Sequence, residues 1–154
     1  AIRFWDPTTG TPGAVLLGHE GGITSVSFSD DGDWAVSSGD DASVRIWQAS
    51  GGRTARDERP HHGWVNFTTF LPGEKRFISV GTDRRVFVWK TDEEGKSEKL
   101  DGHTDWLMCV RPFPDGSHFV TTGKDGTVRI WDSTSLETVQ VIDLWGAINP
   151  GTLR

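Results

Sequence analysis

Apolar residues alternate with small or polar ones in short runs along this chain. ITSVSF (23–28) is followed by the turn-forming SDDGD, then WAVSS (34–38), a turn at Gly39–Asp41, and SVRIW (43–47). Period-two patterning bounded by Gly, Asp and Ser predicts strands with one buried face. The same succession returns as VNFTTF, RFISV and RVFVW, and again as WLMCV, HFVTT and TVRIW. A fourth run precedes each: AVLL (14–17), RTARDER (53–59) and KSEKL (96–100), with TVQVIDL (138–144) following the last copy. RTARDER is poorly apolar, which suits an outermost strand facing water. Long helices are hard to find, and the pattern predicts an all-β chain.

The runs recur with a fixed step. Trp5, Trp47, Trp89 and Trp131 are each 42 residues apart. The same step relates His19, His61 and His103; Ser37, Ser79 and Thr121; Gly39, Gly81 and Gly123; and Asp41, Asp83 and Asp125. Self-similarity at this period, in one register and without an insertion, marks a repeat architecture.

Four strands in about 42 residues resemble the WD-repeat β-propeller family. The resemblance is carried by GHEGGITSVSFSDDG…SSGDDASVRIW and GHTDWLMCVRPFPDG…TTGKDGTVRIWD, with HHGWVNFTTFLPGE…SVGTDRRVFVW a weaker match. The Trp-Asp dipeptide itself stands only at Trp5-Asp6 and Trp131-Asp132. The resemblance implies four-stranded antiparallel blades in an incomplete ring. Residues 1–18 would end a preceding blade; 19–60, 61–102 and 103–144 would be full repeats; and 145–154 would start another. A fourth His falls due at position 145, which is Trp145, so that start is irregular. Seven blades, the family's commonest number, would need roughly 290 residues. The expectation is therefore part of a larger propeller, completed by further sequence or by another chain, because an open arc leaves two raw faces.

The resemblance also implies a hydrogen-bonded chain within each repeat. The sets are His19–Ser37–Asp41–Trp47, His61–Ser79–Asp83–Trp89 and His103–Thr121–Asp125–Trp131. An indole N–H only donates, a carboxylate only accepts, and a hydroxyl or neutral imidazole does both, so such a chain satisfies every buried group. Ser, His and Asp are also the ingredients of nucleophilic catalysis. A catalytic triad serves one site, whereas this constellation occurs three times, each time with a Trp to occupy the hydroxyl.

Composition narrows the chemistry. The 154 residues carry 16 Lys plus Arg against 22 Asp plus Glu, a net charge of −6. That balance disfavours broad binding to nucleic acid or an anionic membrane. Cys109 is the single cysteine, so no intrachain disulfide can form, and the expected setting is cytoplasmic. No ligand set of zinc spacing, calcium loop or phosphate-binding Gly-rich loop is present, and neither a metal nor a cofactor is expected.

Trp64 and Trp106 each follow a repeat His by three residues. In the family, that position opens the innermost strand at the rim of the central channel, a face commonly used for partners. Carried over position by position, the rim comprises Gly22, Trp64 and Trp106; Thr24, Asn66 and Met108; and Asp40, Thr82 and Lys124. Trp and Met at such places are typical of interface hot spots, although the two indoles could instead pack against neighbouring blades. The leading expectation is a noncatalytic protein–protein interaction scaffold, a module of a larger scaffold or signalling protein that recognises a protein or peptide at the rim. Alternatives are a regulatory or sensor propeller attached to an NTPase, kinase or effector enzyme, and a reader of nucleic acid or modified peptides.

Overall fold

A computed structural model describes residues 1–51, 53–93 and 95–148. Its first sheet has two strands, β1 (Ile2–Trp5) and β2 (Pro12–Leu16). Three four-stranded antiparallel sheets follow, each wound in sequence order. The first contains β3 (Ile23–Phe28), β4 (Trp34–Gly39), β5 (Val44–Gln48) and β6 (Arg53–Glu58). The middle sheet contains β7 (Val65–Phe70), β8 (Arg76–Gly81), β9 (Val86–Lys90) and β10 (Ser97–Leu100). The third contains β11 (Leu107–Pro112), β12 (His118–Gly123), β13 (Thr127–Asp132) and β14 (Thr138–Asp143). The architecture is an open, partial β-propeller.

The sheets stack through apolar clusters between successive pairs. Val36, Val44 and Ile46 of the first sheet pack on Val65, Phe70, Phe77 and Trp89 of the middle one. Ile78, Val80, Val86 and Val88 then pack on Leu107, Val110, Phe119 and Trp131 of the third. Each four-stranded sheet thus turns its Trp face towards the preceding sheet, and the first two turn their Val/Ile faces towards the following one. Behind the tryptophans, Phe77 stacks on Trp89 at 5.8 Å and Phe119 on Trp131 at 6.1 Å. Burying one such side chain contributes about 1.5–3 kcal/mol. The innermost strands are also stitched side by side: Ser25 Oγ donates to the Thr68 carbonyl at 2.9 Å, and Asn66 Nδ2 to the Leu107 carbonyl at 2.6 Å.

Turn chemistry repeats with the sheets. Ala42, Arg84 and Gly126 occupy one repeat position and all have positive φ, of 62°, 69° and 76°. Outermost β6 is polar, but its Arg56 reaches across to the carbonyls of Lys90, Thr91 and Glu93.

After β14 comes a one-turn helix, α1 (Leu144–Ile148). Asp143 Oδ1 caps it, accepting from the amides of Trp145 at 2.9 Å and Gly146 at 3.1 Å. The irregular start expected at Trp145 is therefore helical as far as residue 148, and the rest of the expected next repeat lies outside the described residues.

Candidate functional site

Three hydrogen-bonded chains link the strands of the four-stranded sheets to the loops before them. In the first, Trp47 Nε1 donates to Ser37 Oγ at 2.9 Å, Ser37 meets His19 Nε2 at 2.7 Å, and His19 Nδ1 lies 3.0 Å from Asp41. The middle chain runs from Trp89 to Ser79 at 3.0 Å, then to His61 and on to Asp83, both at 2.9 Å. In the third, Trp131, Thr121, His103 and Asp125 are linked by three contacts of 2.8 Å.

Donor logic fixes the proton order. The hydroxyl accepts the indole N–H, so its own hydrogen goes to imidazole Nε2, and Nδ1–H goes to the carboxylate. This is the proton arrangement of a hydrolytic triad, but its environment is wrong for attack. Ser37, Ser79 and Thr121 are 0% exposed, and each hydroxyl already holds an indole. A substrate has no approach, and the chains act as buried ties.

The carboxylates are well held as anions. Burial pulls the Asp41 carboxyl upwards, but the Ser43 hydroxyl, the amides of Glu20 and Ser43, and His19 outweigh it and leave it far below its ordinary range. Asp125 is lowered to about 2 in the same contest, through the Thr104 and Thr127 amides, the Thr127 hydroxyl and His103. Asp83 is also lowered: His61 and the amides of His62 and Arg85 overcome burial. Burial lowers His103, against the pull of Asp125.

Two members of these ties were not singled out from sequence. Ser43 Oγ donates to Asp41 at 2.7 Å and Thr127 Oγ1 to Asp125 at 2.8 Å. The 42-residue step marks them as a matched pair of hydroxyls, with Arg85 between. Gly81 shows why the repeat glycine carries no side chain: a Cβ there would lie 2.5 Å from the Trp64 carbonyl oxygen and 3.0 Å from His61 Nδ1.

The rim positions meet in pairs. The amide of Asp40 bonds the carbonyl of Gly22 at 2.9 Å, Thr82 that of Trp64 at 2.9 Å, and Lys124 that of Trp106 at 2.8 Å. Trp64, Trp106 and Met108 are 54%, 43% and 46% exposed. The Lys124 ammonium lies 4.2 Å from the Trp106 ring centre, a cation–π contact. Asp40 is also exposed, its carboxylate against Gly22.

Thr24, Asn66 and Met108 each sit where the innermost strand gains one residue against its neighbour. Such a bulge re-aims a side chain. Thr24 spends its hydroxyl on Ser38 at 2.8 Å and the Val65 carbonyl at 2.5 Å, and Asn66 its amide on Leu107. Met108 remains uncommitted at the surface. Beside the rim, Trp145 and Leu144 line a pocket of about 380 Å³ with Lys124 and Gly126. That pocket was not foreseen; its signal was an indole where the repeat calls for His. Among the described residues, no group of three or more His, Cys, Asp or Glu side chains could hold a metal.

Comparison with known proteins agrees with this geometry. No curated protein matches the sequence. The solved structure of U3-55K is similar, with a TM-score of 0.80 and 25% identity over 91% of this chain and 44% of that one. The chain thus spans less than half the length of that neighbour. The family model "WD domain, G-beta repeat" matches residues 10–48, 55–90 and 95–132. Each segment begins before a repeat His and ends on or next to the residue that follows a repeat Trp, so it encloses one complete tie. With these segments covering well over half its length, the chain belongs to the WD40 repeat family.

Proposed function

We propose that this chain is a noncatalytic protein-interaction module that engages a protein or peptide partner through the channel rim. WD40 repeats generally mediate protein–protein interaction. The observation carrying this reading is the row of exposed Trp64, Trp106 and Met108, with Lys124 over one indole. Large apolar side chains held in water on a rigid frame are costly unless covered, and Trp is the residue most enriched in interface hot spots. The rim comprises Asp40, Trp64, Thr82, Trp106, Met108 and Lys124, with Thr24 and Asn66 supporting the strands beneath. The setting proposed is intracellular, within a larger scaffold or signalling assembly.

The same reading includes completion of the arc by further blades, from this chain or another. Its support is the outer face of the third sheet, where Val120, Val128 and Ile130 keep the apolar pattern without a sheet packed on them among the described residues.

Affinity capture followed by quantitative mass spectrometry tests the rim, comparing the native chain with Trp64→Ala/Trp106→Ala. Partners should be lost while the circular dichroism melt is unchanged, because both indoles are exposed. Undiminished recovery of every partner would remove the rim from the proposal.

A further inference from the structure

The middle repeat departs from its neighbours at positions that converge on one place. Where the other two repeats carry Gly18 and Gly102, it has Pro60; where they carry Arg45 and Arg129, it has Phe87. Arg85 replaces the hydroxyls of Ser43 and Thr127. Lys99 stands in place of Asp57 and Val141, and Arg59 in place of Leu17 and Asp101. All five residues line an open groove of about 380 Å³ on the side of the molecule, between the end of β6 and the β9–β10 hairpin.

The substitutions explain the groove. In the first sheet the Arg45 guanidinium lies over Gly18 and the Trp47 edge and pairs with Asp57 at 2.7 Å. In the third, Arg129 lies over Gly102 and Trp131 in the same way. These arginines fill the space between sheets. Phe87 instead turns inward, 4.8 Å from the His61 ring and 5.9 Å from that of Trp89, and leaves the space open over an aromatic floor.

The groove's charge is opposite to that of the molecule, whose net charge is −6. Arg59, Arg85 and Lys99 ring it, against Glu58. The Glu58 carboxylate is committed: it accepts the Gly95 amide at 3.0 Å and lies 4.0 Å from Arg56. Arg59 pairs with Glu20 at 3.7 Å and Asp57 at 4.0 Å, and Lys99 with Asp101 at 2.8 Å, all exposed or half-exposed. Exposed pairs contribute little and exchange readily for a better anion. Arg85 has no ion-pair partner among the described residues.

We propose that this lateral groove is a second binding site, which takes a short anionic peptide segment. Its carboxylate or phosphoryl groups would be held by Arg85, Lys99 and Arg59, and an apolar side chain would rest on Phe87. Guanidinium groups suit oxyanions because they donate two parallel hydrogen bonds. Three cations over a small aromatic floor fit a few peptide residues, whereas a nucleic-acid strand needs a longer basic track.

Fluorescence anisotropy with the intact chain tests this, using labelled peptides EEFEE and KKFKK, with inorganic phosphate as competitor. Two variants rebuild what the other repeats contain. Arg85→Ser restores the hydroxyl of the tie. Phe87→Arg/Lys99→Asp exchanges the aromatic floor and one cation for an Arg–Asp pair like Arg45–Asp57, the arginine shifted by Pro60 where the other repeats carry glycine. EEFEE should bind more weakly as salt rises, and each variant should lose about tenfold or more in affinity while its melt stays cooperative. Phosphate alone should compete poorly, since it lacks the apolar contact. Native affinity in both variants, equal binding of KKFKK, or no measurable binding of EEFEE would each overturn the proposal. So would full competition by phosphate, which would reduce the site to an anion sink. Because Arg85→Ser adds a native-like hydroxyl rather than removing core, its result remains readable if the double variant does not fold.

Discussion

The middle and third sheets are built from the same register but live in different surroundings. Ile78 and Val88 of the middle sheet are sealed between two sheets. Their repeat counterparts Val120 and Ile130 have, among the described residues, a partner sheet only on the other face and are half-buried. On the opposite face the Trp–hydroxyl–His–Asp chain is the same in both, down to 0% exposure of Ser79 and Thr121, although Arg85 stands where the third tie has the Thr127 hydroxyl. A WD40 unit is therefore two interfaces back to back, and each is satisfied only by a neighbour. Closing Ile78 into its cavity and leaving Val120 half-open should make truncation to alanine cost more at Ile78, by more than the one extra carbon that isoleucine loses. Ile78→Ala should cost about 2–5 kcal/mol, because a cavity opens in a packed core. Val120→Ala should cost about 0.5–1 kcal/mol, because much of its surface is still in water. Urea denaturation measures both, and equal losses would break the comparison.

The ties sharpen the same contrast by being its control. Ser79→Ala strands an indole N–H and an imidazole nitrogen, and Thr121→Val does the same in the third sheet. Each should cost about 1–3 kcal/mol, with little difference between them. A much smaller cost in the third sheet would mean that its bare face loosens the whole unit rather than one side.

Acid should loosen the two sheets by the same route. The folded state holds Asp83 and Asp125 below their unfolded values, Asp125 at about 2, so the unfolded chain takes up protons first as pH falls. Stability from both carboxylates is complete above the unfolded value near pH 3.9 and falls below it, the Asp125 share disappearing as pH drops through about 2. His103 is also lowered, so it too favours the folded state most above its unfolded value near 6.5 and less as pH drops below that. Melts recorded across pH should show a shallow fall beginning near 6.5 and a steep one below about 4. A melting temperature that rises on acidification through either window would contradict the assignment of these groups.

Much of this was legible because the 42-residue step carries chemistry as well as pattern. His, hydroxyl, Asp and Trp at fixed spacing imply a polar chain, since each supplies a bonding capacity that the next one lacks. The bulges at Thr24, Asn66 and Met108 were not legible. An inserted residue leaves the apolar–polar alternation of ITSVSF intact on paper while shifting which side chains face which side of the sheet. Helix α1 was hidden for a related reason: LWGAI is too short to show a helical period, and its start depends on the cap from Asp143. The lateral groove arises where the repeats differ, and a difference carries no 42-residue step.

One turn separates the two sheets by a single side chain. Arg84 and Gly126 hold the same left-handed position, with φ of 69° and 76°. An L side chain there costs about 1–2 kcal/mol, and glycine avoids that at an entropic cost of about 0.5–1 kcal/mol in the unfolded chain. Arg84→Gly should therefore stabilise the protein by about 0.5–1 kcal/mol, seen as a small rise in urea midpoint with unchanged slope. The reverse exchange, Gly126→Ala, should destabilise by more than backbone strain alone, because the Trp145 indole lies directly over Gly126 and leaves no room for a Cβ. The middle sheet thus carries a strained residue at this turn, whereas the third carries the unstrained one and seats the Trp145 indole over it. Should Arg84→Gly prove destabilising, the arginine would have to be making a contact that offsets its strained backbone, and the turn would no longer distinguish the two sheets.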